Sequence, residues 1–161
     1  MSEIKHKITL NLILLFCIFS LFTAYFIQYV LKHQPCNLCL IERIPYIASI
    51  IIILICIFSK KFEKISLIIL SLIFFSAALI SFYHFGIEQG FIQESLVCNL
   101  SEESSYLSKK ALLKQLKEVP ISCKDVTFKI FGLSLATFNI FISLILGSIT
   151  MKKFLIYEKN R

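Results

Sequence analysis

The stretch Gln34-Pro35-Cys36-Asn37-Leu38-Cys39-Leu40-Ile41-Glu42-Arg43-Ile44-Pro45-Tyr46 sets two thiols three positions apart and an arginine four positions later, between long runs of Ile, Leu and Phe. A dithiol reacts best where water can bring partners to it, so its place at the edge of such apolar sequence needs a reason. The surrounding chain of 161 residues is 57% hydrophobic, against about 45–50% in ordinary soluble domains. Its length fits one domain, 1–161. A soluble domain of this size exposes too much surface to bury so much Ile, Leu and Phe. The composition therefore predicts a bilayer as solvent.

Four segments match that solvent. The run at 8–31, broken only by Asn11, Gln28 and a few hydroxyls, would reach about 36 Å as a helix. Ile44–Phe58 alone reaches about 22 Å and needs the Cys-Asn-Leu-Cys turn to complete a crossing, which sets the second span at 41–59. The runs at 65–85 and 130–151 each meet the ~20 residues that a hydrocarbon core demands. Backbone amides in lipid must be satisfied internally, so these are helices. The fold class expected is an all-α membrane protein: a four-transmembrane-helix bundle with a short loop at 32–40 and a long one at 86–129. Lys5 and Lys7 resemble the basic start of a signal peptide. The apolar run after them exceeds the usual length of about 7–15 residues and ends without a small-x-small site, so retention as an anchor is expected.

Charge orients the bundle. Lys5, Lys7, Lys60, Lys61, Lys64, Lys152, Lys153, Lys159 and Arg161 share one side if four helices alternate, and that side is expected to be cytoplasmic, with both termini. On the other side, six basic residues of the segment from His84 to Lys129 are balanced by Glu88, Glu94, Glu102, Glu103, Glu118 and Asp125. The net charge of +7 is thus a topology signal, and without basic clusters interleaved with exposed aromatics it argues against nucleic acid.

Topology sorts the cysteines. Cys17 and Cys56 lie inside spans among Leu, Ile and Phe, where a free thiol fills space as a small apolar group. Cys36, Cys39, Cys98 and Cys123 share the non-cytoplasmic face, where disulfides persist. Structural zinc usually pairs two close Cys-x-x-Cys units, whereas Cys98 and Cys123 are 25 positions apart, so no metal is expected. A staple closing the long loop would account for Cys98 and Cys123 but not for Cys36 and Cys39, since so short a loop holds almost no closure entropy. A Cys-x-x-Cys pair is the usual form of an exchangeable disulfide. If a helix begins near Pro35, then Cys36, Cys39 and Arg43 fall along one stripe, and a Cys39 thiolate meets both the positive helix end and the guanidinium. Arg43 also reads as an interface anchor paired with Glu42. Pro45 kinks the helix entry. In the long loop, acids followed by Leu112, Leu113 and Leu116 among lysines, with Pro120 beyond, predict a short amphipathic helix over 104–118. It would rest on the lipid surface or fold back onto the bundle.

Together these residues resemble a known family. Pro35-Cys36-Asn37-Leu38-Cys39 followed by Glu42-Arg43-Ile44-Pro45-Tyr46 is similar to the first redox site of the disulfide bond formation protein B (DsbB) family. Tyr83-His84-Phe85-Gly86-Ile87-Glu88 resembles its exit from helix three. Cys123-Lys124-Asp125, then Phe131-Gly132-Leu133-Ser134-Leu135-Ala136 and Asn139, resembles its entry into helix four. The resemblance implies a bacterial inner-membrane oxidoreductase that serves periplasmic protein folding, reoxidising a periplasmic DsbA-type thioredoxin-fold oxidase and passing electrons to a membrane quinone, ubiquinone or menaquinone. It implies Cys98 as the sulfur attacked by the partner, Cys123 exchanging with Cys36, and Cys39 delivering electrons to the quinone. Arg43 and His84 would be quinone-site residues, although His84 also reads as an interfacial histidine facing water. Energetics agree: a DsbA-type couple near −120 mV cannot pass electrons to glutaredoxin-type couples near −200 mV without a climb of roughly 3.7 kcal/mol, so a more oxidising acceptor is needed.

Three rivals are distinguishable. A vitamin K epoxide reductase-like enzyme would carry its quinone-facing Cys-x-x-Cys near the last helix, where this chain has none. A disulfide-stapled scaffold without turnover would leave Cys36 and Cys39 dispensable. A thiol-ligand metal transporter would be expected to carry a mid-membrane acid, which the spans do not.

Overall fold

The computed structural model describes residues 2–58, 63–94, 98, 122–124, 129–130 and 132–159. The amphipathic helix expected over 104–118, and Lys60 and Lys61 in the turn after the second span, lie outside the described residues. The described chain runs α1 (Ser2–Tyr29), α2 (Asn37–Ile41), α3 (Ile44–Phe58), α4 (Glu63–Glu88), β1 (Lys129–Ile130), β2 (Leu133–Ser134) and α5 (Leu135–Lys159). Four stretches are long and apolar enough to cross a membrane: Lys7–Tyr29, Asn37–Phe58, Glu63–Glu88 and Leu135–Ile156. The chain is an all-α four-helix membrane protein.

The second span is built as expected from two pieces. Pro45 has no N–H to donate to the Ile41 carbonyl one turn back, and its ring crowds that carbonyl. The ladder therefore breaks at Glu42–Arg43: Glu42 N–H still reaches Leu38 O at 2.9 Å, Arg43 N–H tightens to Leu40 O at 3.2 Å, and Ile47 N–H restarts on Arg43 O at 3.1 Å. Proline in the first turn of α3 costs little there, because first-turn amides lack helical partners in any case. The break corrects the single stripe expected through Cys36, Cys39 and Arg43.

Helix α5 begins five residues later than the span expected from Ile130. Lys129–Ile130 pairs antiparallel with Leu133–Ser134, and Gly132, at φ 82°, turns the chain between them in the left-handed region that a side chain disfavours. Ser134 then caps α5, its Oγ accepting from Thr137 N–H at 3.3 Å. Hydropathy alone reads Ile130 and Leu133 as span because the hairpin strands are as apolar as the helix they precede.

Packing pairs α1 with α3 and α4 with both α3 and α5. The buried core holds Leu10, Ile13, Cys17, Tyr46, Ile53, Cys56, Leu67, Leu70, Phe74 and Leu146, so both span cysteines fill buried apolar space. Small residues draw α4 against α5, where Ser71 Oγ donates to Gly147 O at 3.2 Å. Phe22, Leu79, Phe82 and Phe141 face outward, as lipid-facing side chains do.

Candidate active site

The end of α4 shapes one wall of the site. Gly90, at φ 76°, ends the helix while Phe91 N–H returns to Gly86 O at 2.9 Å and Gly90 N–H to Ile87 O at 3.0 Å, the two bonds of a Schellman cap. Gly86 leaves room here for Ile92: a Cβ on it would lie 2.6 Å from the end of the Ile92 side chain folded over it, which would have to shift. Ile92 is thereby laid against a buried cluster of Cys36, Leu38, Ile87, Cys98 and Cys123. Both cysteine pairs thus share one apolar nest at the end of the bundle opposite the chain termini.

Cys98 and Cys123 form a disulfide with Cα atoms 5.9 Å apart. The Asn37 side chain donates to Cys98 O at 3.5 Å and ties the disulfide to the start of α2, while Glu94 accepts from the Ser122 hydroxyl and from Lys124 N–H and ties down the other cysteine's segment. Cys36 and Cys39 are free thiols with sulfurs 2.8 Å apart. Cys36 is the N-cap of α2, and its sulfur accepts from Cys39 N–H at 3.3 Å. The sulfur that meets the positive helix end is therefore Cys36, not Cys39. A residue at the N-cap points its side chain back at first-turn amides, whereas one at the third helical position cannot. The pKa of Cys36 is lowered to about 4, first by the hydrogen bond from the Cys39 thiol and then by the His84 ring, against the cost of burial.

His84 is buried rather than facing water. Its Nε2 lies 3.5 Å from Cys36 Sγ, and its Nδ1 lies 2.9 Å from Glu42 Oε1. The donor atoms of Cys36, Cys39 and His84 all fall within 4.8 Å of one another. Glu42 in turn accepts at Oε2 from the Asn139 side chain at 3.2 Å. Asn139 also donates to Ser81 Oγ at 2.7 Å and accepts from the Tyr46 and Ser143 hydroxyls. Three spanning segments are joined through this buried network.

Glu42 and Arg43 diverge, which corrects the pairing considered between them. With the helix broken at this point, Glu42 turns inward, while Arg43 Nη1 donates to Gln28 Oε1 at 2.6 Å and its guanidinium sits 4.9 Å over the Tyr25 ring. Both partners of Arg43 come from α1.

A cavity of about 360 Å³ opens below the cysteines. Phe16, Phe19 and Ile27 of α1 face Leu135, Phe138 and Ile142 of α5 across it, and Cys36, Cys39, Arg43, His84, Glu88 and Cys123 gather at its outer end. Apolar walls with a few convergent polar groups suit a flat, lipid-soluble ring.

All six residues singled out in the sequence are thus brought to one end of the bundle. Sequence reasoning gave Glu42 only a pairing with Arg43, and gave Glu88 and Asn139 no role beyond their place in the resemblance. The signal available was their polarity within or at the margin of apolar spans, where an uncompensated polar group is costly.

Residues 6–152 match the family described as "DsbB: Disulfide bond formation protein DsbB". The chain belongs to the DsbB family. It is also similar to an uncharacterized protein, RP370, of Rickettsia prowazekii (strain Madrid E), with 32% identity over 145 residues, covering 88% of this chain and 84% of that protein. No solved structure matches. Membership in this family, the spanning helices and the two cysteine pairs make the protein a membrane oxidoreductase of disulfide bond formation.

Proposed function

We propose that this DsbB-family protein reoxidises a periplasmic DsbA-type thioredoxin-fold oxidase and passes the two electrons through Cys98/Cys123 and Cys36/Cys39 to a membrane quinone. The observation that carries this reading is the packing of both cysteine pairs into one buried cluster above a lipid-level cavity. Sulfurs that share a nest can exchange without passing through solvent.

The sequence of exchanges balances in electrons and protons. A partner thiolate attacks Cys98, a mixed disulfide forms and the Cys98–Cys123 bond breaks, leaving Cys123 as thiolate. Cys123 attacks Cys36 of an oxidised Cys36–Cys39 pair, forming an interpair disulfide and freeing Cys39. The partner's second thiol then displaces Cys98 and leaves as a disulfide; Cys98 re-forms its bond to Cys123, and Cys36 is released beside Cys39. A sulfur held as thiolate by Cys39, His84 and the α2 N-terminus is a good leaving group in that last step. The same stabilisation favours the reduced pair and so makes the Cys36–Cys39 disulfide the more oxidising one. Arg43, fixed by Gln28 and Tyr25, presents positive charge to the cavity, and His84 a ring nitrogen. A bound quinone supplies a two-electron, two-proton acceptor there. The lysine distribution supports an orientation with both termini cytoplasmic and the cysteines periplasmic.

The test is turnover of purified protein with a reduced DsbA-type partner and a soluble quinone. Oxidation of the partner is expected to require the quinone and to be lost in Cys39→Ser. Turnover that survives either omission would refute the reading.

A further inference from the structure

Glu88 carries the one buried carboxylate oxygen without a partner among the described residues. Its side chain is 5% exposed and lines the cavity, its Oε1 lies 3.7 Å from His84 Nε2, and its Oε2 is unpartnered. An unpaired polar atom in such a place is costly. Ionisable groups at membrane depth mark proton or ion paths. The position is specific: Glu88 is one helical turn beyond His84 on α4, so both side chains lie on the same face.

We propose that Glu88 relays a proton from His84 to the acceptor in the cavity, Oε1 taking it from Nε2–H while Oε2–H gives one up. The idea rests on the quinone reading above and adds to it a route for the proton that Cys36 loses. Closing Cys36 and Cys39 into a disulfide breaks two S–H bonds, forms one S–S bond and releases two electrons and two protons. The electrons reduce the quinone. The Cys39 proton leaves from a thiol that itself lines the cavity. The Cys36 proton is held by His84, because Cys36 Sγ faces Nε2. His84 Nδ1 is committed to Glu42, so the way onward is Nε2 to Glu88. Oε1 receives that proton as Oε2–H leaves, and a half-turn of the carboxyl about Cγ–Cδ then returns Glu88 to its starting state for the next cycle. His84, Glu42, Cys36 and the Ser134 hydroxyl are the groups that face this carboxyl.

Glu88→Gln keeps the shape and removes the proton. In pre-steady-state mixing of the reduced full-length chain with a soluble quinone, the variant is expected to form quinol about 100-fold more slowly, the scale of one general acid–base group. Read at saturating quinone, its solvent deuterium isotope effect should be larger, with partner oxidation at Cys98–Cys123 unchanged. Glu88→Asp should recover part of the rate. In quinone-free protein, infrared difference spectra between the Cys36–Cys39 disulfide and dithiol should show a deuterium-sensitive carboxylic acid band that disappears in Glu88→Gln. Wild-type quinol formation by Glu88→Gln, equal loss in both half-reactions, or no Glu88-dependent band overturns the relay alone. A wild-type dithiol that reduces no quinone overturns the functional reading, and the relay with it.

Discussion

His84 on α4 holds Cys36 with one ring nitrogen and Glu42 with the other, at 3.5 and 2.9 Å, so a cysteine, a base and an orienting carboxylate from two spans form one unit. Glu42 receives Nδ1, which turns Nε2 toward sulfur. Thiol chemistry depends on the thiolate, and this arrangement decides which of two adjacent sulfurs becomes one.

The acidity of Cys36 is therefore measurable. In a Cys98→Ser/Cys123→Ser background, the thiolate absorbance of the reduced chain is expected to persist from neutral pH down to a midpoint near 4. The folded value is depressed, so its contribution to stability is complete above the ordinary thiol pKa and is lost as pH falls through about 4. Cys39→Ala removes the largest cause and should raise the midpoint most; His84→Gln should raise it less. A midpoint at the ordinary thiol value in the unmutated background would show that Cys36 is not the activated sulfur.

Arg43 is anchored wholly from α1, and its charge faces the cavity. Loss of one charge-assisted hydrogen bond costs about 1.5–3 kcal/mol, so Arg43→Ala should raise the apparent KM for quinone roughly 10-fold or more. Partner oxidation in a single turnover should be spared. Equal effects on the two half-reactions would remove Arg43 from the cavity's chemistry.

Glu42→Ala leaves His84 Nδ1 and one bond of Asn139 unmet in a dry interior. Each buried orphan costs on the order of 1–3 kcal/mol. The variant in detergent is expected to melt well below the wild type, whereas a change of Glu94, which holds only the 122–124 segment, should move the melting point less. Differential scanning fluorimetry with a thiol-reactive dye reads both, and equal melting of wild type and Glu42→Ala would contradict the network.

Orientation is open to labelling in intact cells. After mild reduction, a membrane-impermeant maleimide is expected to reach Cys98 or Cys123 from outside the cytoplasm, while Cys17 and Cys56, buried in the bundle core, stay unlabelled. Labelling of the loop cysteines only after the inner face is opened would invert the topology drawn from the lysines.

What the sequence determined by itself is what local composition can carry. A helix in lipid satisfies its own backbone, so four apolar runs of sufficient length specify four spans without reference to one another. Cys36, Cys39, Arg43 and Pro45 were legible for the same reason, since spacing along one chain and the missing amide of proline are local facts. The hairpin before α5 escaped because its strands share the hydropathy of the helix they precede, and only the turn at Gly132 separates them. Tertiary structure alone decided which sulfur is the thiolate, that Glu42 abandons its neighbour Arg43, and that Glu88 is left with an oxygen to spare. Those outcomes draw on partners 15 to 97 positions apart, brought within a few ångströms when helices pack. No period or spacing records such pairings, because each is chosen by the polar groups that the bilayer denies any other partner.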